Sequence, residues 1–424
     1  MKKILSLLLV FLFVGCNDSG NKDKPSDIST DNISLVDNGS YYQVVLDYRD
    51  KTPYEMGQQY GTVISSKVEG YDKLIDPYLI DLANNSGMDF SNSVILSIVS
   101  KRINDIKTQI PKEYMDELDG LASVLVNSDS MVIGDGKLSK EEFLLVSLLP
   151  DVVRGTACSA LSVFGDRSES GSPVVARVLD WFGGNSDQLV KIQAVVVYKK
   201  STGSVCTVGY LGFMGVITGF NDKGVFAGIL DSPTGATYNS EGKYSYPFDI
   251  RYALENNDSL QTTADYLSKH PYTYSHLVFL ADKESSKVLE NNISDDFRQL
   301  REDMSPLNGG IVWGLENTVA AVNSFLLKDN FDNHTVYTGN YNRWEYFYNQ
   351  ISALAGQKLD SEDLKTLITY RSDSGALHQY GSIYVTSTQQ MILFSPESFK
   401  LEVFFRPEGG LPETPVFEDI AVTW

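Results

Sequence analysis

The chain has 424 residues, enough for two or three domains and a large buried core. At 42% hydrophobic and 21% charged residues it is ordinary globular material. A formal net charge of −20, from 35 basic and 55 acidic residues, disfavours nucleic acid and anionic membrane surfaces as partners, and acidity alone names no substrate.

The chain opens with a charged pair, Lys2 and Lys3, an apolar run over residues 4–14, and Gly15-Cys16. The run is too short to stay in a bilayer as a spanning helix and reads as an export signal over residues 1–16. Phe13-Val14-Gly15-Cys16 resembles a bacterial lipobox, although Phe13 departs from the usual leucine. That resemblance implies a lipoprotein signal peptide with a lipid on Cys16, and membrane contact through that lipid alone. It implies a bacterial cell envelope address, with Asn17 fitting the outer rather than the inner membrane and the body in the periplasm or at the surface. A simple secretory signal with an incidental cysteine is the other reading. Residues 17–40 hold Asn, Asp, Ser, Lys and Gly with few apolar side chains, and are expected to form a flexible tether.

Residues 41–157 carry a helical texture. Thr52-Pro53-Tyr54-Glu55 is a capping box with proline at the first helical position, and Met56, Tyr60, Ile64, Val68 and Tyr71 follow at helical spacing. A second helix is predicted over 91–109, with Pro111 ending it or opening a third that carries Met115, Leu118, Leu121 and Leu125. The polar stretch 127–142 places Asp135 and Glu142 as in a calcium loop, but puts Met131 and Ile133 at the first and third ligand positions. Neither binds a hard cation, so a loop leading into a helix over 139–148 is expected, and no metal site.

From residue 158 onward strands and turns dominate. Strands are predicted over 189–199 and 205–210, a hairpin around Asn221-Asp222-Lys223-Gly224, and strands at 276–281 and 286–289. Helices return over 249–269 and again over 344–354 and 361–368, followed by strands near 383–386, 391–394 and 401–405. Helices, strands, helices and strands again imply sheets stacked inside helical layers, or two α+β domains.

Three cysteines, Cys16, Cys158 and Cys206, exclude a disulfide framework but not a single Cys158–Cys206 bond. Cys206 lies in a strand-like run and reads as a small buried hydrophobe. An unpaired Cys158 in an oxidising compartment points to a chemical role. A thiol of ordinary pKa, about 8.5, needs a base. None of His270, His276, His334 and His378 stands in a phrase tied to the thiol, and no Gly-x-Ser-x-Gly elbow appears. Cleavage of Ala157–Cys158 would supply a base without histidine. The freed α-amine, with a pKa of about 7.7–8.0, is suited to take the thiol proton and return it to a leaving amine.

Cys158 is followed by Arg177-Val178-Leu179-Asp180-Trp181, a nucleophile with a downstream Arg-x-x-Asp. This resembles the N-terminal-nucleophile (Ntn) cysteine hydrolases: acid ceramidase, N-acylethanolamine acid amidase, choloylglycine hydrolase and the penicillin acyltransferase group. Tyr54-Glu55-Met56-Gly57-Gln58-Gln59-Tyr60-Gly61 looks like the opening helix of the acyltransferases. Gly219-Phe220-Asn221-Asp222-Lys223-Gly224-Val225 resembles their shared hairpin. Gly339-Asn340-Tyr341-Asn342-Arg343-Trp344 resembles an Asn-Tyr-Asp-x-Trp phrase, with Asn342 where the ceramidase-like enzymes carry aspartate.

The resemblance implies an α+β Ntn-hydrolase fold, a four-layer αββα sandwich in which residues 41–157 and 158–424 form one domain. It implies self-cleavage between Ala157 and Cys158 into two associated fragments. Thioester chemistry on a small acyl-amide substrate follows, with no cofactor or metal. Asp180 would orient the amine, Arg177 would stabilise negative charge near the sulfur, and Asn340 would donate to the oxyanion. Asn342 is the competing donor, and Arg343 is either a further site cation or a surface residue. In a regular strand Arg177 and Asp180 would face opposite ways, so a twist near Leu179 is expected. Leu230 or Asp231 stands where bile salt hydrolases carry asparagine, which departs from their specificity. Acyl transfer, phospholipase B-like lipid hydrolysis suggested by Cys158-Ser159-Ala160-Leu161, and a non-catalytic surface lipoprotein are the alternatives.

Overall fold

The computed structural model describes residues 28–29, 32–90, 92–153, 157–373 and 377–424. Cys16, its signal segment and Arg154-Gly155-Thr156 lie outside the described residues. The first elements are strands β1 (Ile28–Ser29), β2 (Ile33–Asp37) and β3 (Tyr42–Asp47). Strand β2 stands within the tether expected over residues 17–40, of which residues 17–27 lie outside the described residues. β2 pairs antiparallel with β3, and its alternate residues Ile33 and Leu35 are buried against the helices.

Helices α1 (Pro53–Lys67), α2 (Tyr71–Ser86), α3 (Ser93–Lys107), α4 (Lys112–Leu125), α5 (Lys140–Ser147) and α6 (Leu149–Val152) follow. The Thr52 capping box forms as expected and starts α1. The apolar spacing continues to Tyr71, but the helix does not: Gly70 takes a left-handed φ of 70° and α2 begins after it. Pro111 opens α4, and Ser139 with Glu142 forms a capping box on α5. In the loop before α5, Gly134 and Gly136 donate their N–H groups to Asp76 of α2.

The remaining elements are β4 (Ala157–Val163), β5 (Val174–Asp180), β6 (Gln193–Lys199), β7 (Val205–Tyr210), β8 (Thr218–Asn221) and β9 (Phe226–Asp231). Then come α7 (Tyr246–Asn256), α8 (Leu260–Leu267), β10 (His276–Ala281), β11 (Ser286–Asn292), β12 (Phe297–Arg301) and β13 (Thr318–Ala321). The chain closes with α9 (Thr338–Ala353), α10 (Ser361–Ile368), β14 (Thr388–Ser395), β15 (Lys400–Phe405) and β16 (Glu418–Asp419).

The strands form two sheets among the described residues. The larger runs β1-β2-β3-β6-β7-β8-β9-β10-β11-β12 and the smaller β13-β4-β5-β14-β15-β16. Alternation along β6 shows how they stack. Val195 and Val197 meet Cys158, Ala160 and Leu179 of the smaller sheet, while Val196 and Tyr198 meet the N-terminal helices. Helices α7 and α8 cover the other half of the larger sheet's outer face. Trp344 and Phe347 of α9, with Leu364 and Leu367 of α10, cover Ala176 and Val178 on the smaller sheet. The result is an αββα sandwich with the N-terminal helical segment laid on the larger sheet. No helix of the described residues is long and apolar enough to cross a membrane.

Candidate active site

Cys158 is the second residue of β4, between β13 and β5. It pairs with Leu179, and both side chains enter the core between the sheets. Cys206 lies in the same core, and both cysteines are free thiols.

Arg177 sits two residues before Leu179 and so shares that inner face. Its Nη2 lies 3.6 Å from the Cys158 Sγ and donates to the Ile229 carbonyl of β9 at 2.6 Å, crossing from one sheet to the other. Its Nε and Nη1 are buried without a hydrogen-bond partner. Burial raises the pKa of the Cys158 thiol; the Arg177 charge and the Asp180 backbone N–H pull the other way, while the Asp180 and Asp231 carboxylates add to the rise. The net direction is up, so the resting sulfur is a thiol that needs a base. Burial lowers the Arg177 pKa, opposed by its charged neighbours.

The expected twist near Leu179 is absent. β5 continues regularly through Asp180, and the ladder irregularity falls on β14 between Thr388 and Gln390. Arg177 and Asp180 therefore do face opposite ways. They serve one residue because the thiol of Cys158 points to the inner face while its backbone lies at the strand's end, within reach of the outer one. Asp180 Oδ1 accepts from Thr388 Oγ1 at 2.7 Å, and Oδ2 lies 3.3 Å from His378 Nε2.

The backbone nitrogen of Cys158 has an unusual partner. β13 pairs with β4 as far as Ala321 opposite Ala160. Beyond that rung a side chain takes over: Cys158 N–H donates to Asn323 Oδ1 at 2.8 Å. Asn323 Nδ2 in turn donates to the Asp231 carbonyl at 2.8 Å. Arg343, on α9 and buried, donates through Nη1 to the Cys158 carbonyl at 2.6 Å and to Ser159 Oγ at 2.8 Å. Its Nη2 reaches Asn323 Oδ1 at 3.0 Å and Asn340 Oδ1 at 2.7 Å. Arg343 is thus buried beside Cys158 and is not a surface residue.

Asn340 is near the site in a different capacity from the one expected. Both its amide hydrogens are engaged, with the Asn323 carbonyl at 2.8 Å and Ser324 Oγ at 2.9 Å, while its oxygen holds Arg343. The amide braces Arg343 and Asn323 and is not aimed at the thiol. Asn342 is half-buried and donates to the Gln379 carbonyl, away from Cys158. Asn323, His378 and Thr388 were not singled out from the sequence. A polar residue ending an apolar strand, as in Val322-Asn323-Ser324, is the one local signal for Asn323.

Two cavities flank the centre. A polar cleft of 380 Å³ is lined by Ala157, Asp180, Trp181, Asp187, Gln389 and Arg406 among others. On the other side Leu179, Trp181, Tyr78, Tyr210, Phe213 and Leu149 line a smaller apolar cavity of 40 Å³. Trp181 separates the two and is fixed by its indole N–H on Tyr78 Oη at 2.8 Å.

No protein-family model matches the chain, and no curated protein matches it. Among solved structures it is similar to a Caenorhabditis elegans N-acylethanolamine-hydrolyzing acid amidase ortholog, at 15% identity and a TM-score of 0.42, covering 59% of this chain and 100% of that one. It is similar to a conjugated bile acid hydrolase mutant from Clostridium perfringens, at 12% identity and a TM-score of 0.38, covering 63% of this chain and 97% of that one. It is also similar to penicillin V acylase from Agrobacterium tumefaciens, at 13% identity and a TM-score of 0.38, covering 61% and 84%.

Proposed function

We propose that the protein is a self-processing cysteine hydrolase of linear amides, with Cys158 as nucleophile. The observation that carries this reading is the bond from Cys158 N–H to Asn323 Oδ1. A backbone nitrogen received by a side-chain amide keeps its acceptor if the preceding peptide bond is cut, so a freed α-amine would be held where the N–H now is. In the reaction the amine takes the thiol proton and the sulfur attacks the acyl carbon. The unpartnered Arg177 donors face the charge that develops near the sulfur. The C–N bond then breaks, the departing amine receives the proton, and water hydrolyses the thioester to a carboxylic acid and restores the thiol.

The raised thiol pKa supports the need for a neighbouring amine. Arg343 and Asn340 are assigned to holding Cys158 and Asn323, and Asp180 to orienting the amine. The polar cleft at Asp180 suits the amine portion, while the apolar cavity beside Leu179, at 40 Å³, would have to widen to receive an acyl group. A lipid on Cys16 would hold this body at the envelope.

Intact-mass measurement of purified protein tests the reading. The expected result is two fragments, the second starting at Cys158, and one uncut chain for Cys158→Ala. N-acyl amides should be hydrolysed by the cut form alone. Full amidase activity in a continuous chain, or in C158A, would overturn it.

A further inference from the structure

β13 ends at Ala321, opposite Ala160, and the acceptor of the Cys158 N–H, Asn323, stands two residues beyond that last rung. Ladder pairing therefore does not fix Asn323, and its place depends on what grips the chain on either side. Before it, Arg301 Nη2 donates to the Ala320 carbonyl at 2.8 Å. After it, the N–H groups of Leu326 and Leu327 donate to Glu290 Oε1 at 2.9 and 3.2 Å. Both grips belong to one buried ion pair, with Arg301 Nε 3.0 Å from Glu290 Oε1. The pair comes from the larger sheet. Val288 of β11 stands opposite Arg301 of β12, so Glu290, two residues on, shares its side of the sheet. Neutral amides complete the turn: Asn340 donates to the Asn323 carbonyl, and Asn333 Oδ1 accepts from the Phe325 N–H.

We propose that Glu290, with Arg301, is a positioning residue for the nucleophile: the pair brackets Asn323 and so sets its Oδ1 against the Cys158 nitrogen. Neither residue touches Cys158, and both act through the chain that carries Asn323. A buried carboxylate must find donors. Glu290 finds a guanidinium, two consecutive backbone N–H groups and the Asn330 amide at 2.8 Å. Bonds to a charged acceptor are stronger than the neutral ones that Asn333 and Asn340 supply, so the pair governs where the turn sits. The Arg301 guanidinium also lies 5.5 Å over the ring of Trp344, next to Arg343, whose own Nη2 reaches Asn323 Oδ1 at 3.0 Å. This deepens the proposed reaction, on which its chemical consequence rests: a freed α-amine is held only as firmly as Asn323 is.

The bracket is tested without reference to turnover, in the full chain carrying Cys158→Ala, which keeps the backbone N–H at position 158. Hydrogen exchange of ¹⁵N-alanine amides is followed by NMR, with position 158 assigned as the resonance that labelled wild type lacks. Adding Glu290→Gln keeps the side chain's shape but turns one acceptor oxygen into a donor. Exchange at position 158 should then quicken about tenfold relative to Ala176 of β5 and Ala194 of β6, as it should with Asn323→Ala. A gain shared equally by all three amides, or no gain at position 158, would overturn the proposal. Should Glu290→Gln not fold, Arg301→Lys decides. It keeps a charge beside Glu290 but lacks the second nitrogen that reaches Ala320, and the same selective gain is expected. With Cys158 restored, self-cleavage of the same variant should slow about tenfold. Cleavage at the wild-type rate despite fast exchange would also overturn the role. If exchange behaves as expected and no chain is cleaved at all, the proposed reaction fails and the positioning of Asn323 stands.

Discussion

Gly228 shows how closely the sulfur's surroundings are fitted. A Cβ at this position on β9 would stand 2.6 Å from Arg177 Cδ and 2.7 Å from its Nε. Backbone on one sheet leaves room for a guanidinium from the other, and only glycine allows it. Gly228→Ala should therefore displace Arg177 while leaving most of the core intact. A shift near 1 Å in a charge-stabilising group costs about 100-fold in kcat/KM, and that fall is expected on any amide the protein hydrolyses. Unchanged kinetics in G228A would remove Arg177 from the reaction. Asn323→Ala should slow self-cleavage and leave the Cys158 nitrogen without its side-chain acceptor, whereas Asn342→Ala should alter neither cleavage nor turnover. Cys158, Arg177 and Asp180 are legible in the sequence because they fall on two adjacent strands joined by a short excursion. Asn323 is not, since its contact with Cys158 spans 165 residues and is set by the pairing of β13 with β4. Asn340 lies three residues from Arg343 on one helix, shares a face with it and accepts its Nη2 hydrogen bond, a contact that its phrase in the sequence does not announce.

At the scale of elements, the sequence speaks where local chemistry decides and is silent where long-range pairing does. The Thr52 capping box, the helix after Ser139 and the 205–210 and 276–281 strands appear where residue pattern puts them. β2 is missed because only Ile33 and Leu35 are fully buried within a polar stretch, and β3 is needed to pair it. The joint between the N-terminal helices and the rest is likewise invisible in sequence. Arg251 of α7 holds Glu117 of α4 through two bonds of 2.5 and 2.9 Å, and Glu255 at 2.9 Å. Lys200 and Tyr114 also reach Glu255, at 2.8 and 2.9 Å. Glu117 and Arg251 are fully buried, and without the Glu117 charge Arg251 keeps only Glu255, which it shares with Lys200. Glu117→Gln should cost about 3 kcal/mol in urea unfolding. Because Glu117 lies before residue 157 and Arg251 after it, the same pair would hold cleaved fragments together. Wild-type fragments are expected to co-purify until denatured, and E117Q fragments to separate at lower urea. Equal midpoints would show that the helices are held by apolar packing alone.

For the molecule as a whole, residues 150–152 are built into the protein's interior. Tyr246 Oη donates to the Pro150 carbonyl at 2.6 Å, Tyr238 Oη to that of Asp151 at 3.1 Å, and Arg102 to that of Val152 at 2.8 Å. The Asp151 carboxyl meets Ser245 Oγ at 2.6 Å and the Tyr246 N–H at 3.1 Å at the start of α7. Burial pushes this carboxyl up to about 8, with repulsion from Asp231 and Asp249 adding to it and the two hydrogen bonds opposing. In the unfolded chain it returns to about 3.9. Between those values the folded protein holds a proton that the unfolded chain has lost. Asp151 therefore favours the fold in full below the ordinary carboxyl range, and its contribution drains away as pH rises through about 8. Net negative charge weakens the fold in the same direction, so the test needs a variant that removes the titration and keeps the shape. Asp151→Asn does so, with an amide oxygen for the Tyr246 N–H and an amide N–H for Ser245. Wild-type Tm should fall between about pH 5 and about pH 8, and the fall should be smaller in D151N. Parallel curves would mean that residues 150–152 are held by their tyrosine and arginine bonds without help from this proton.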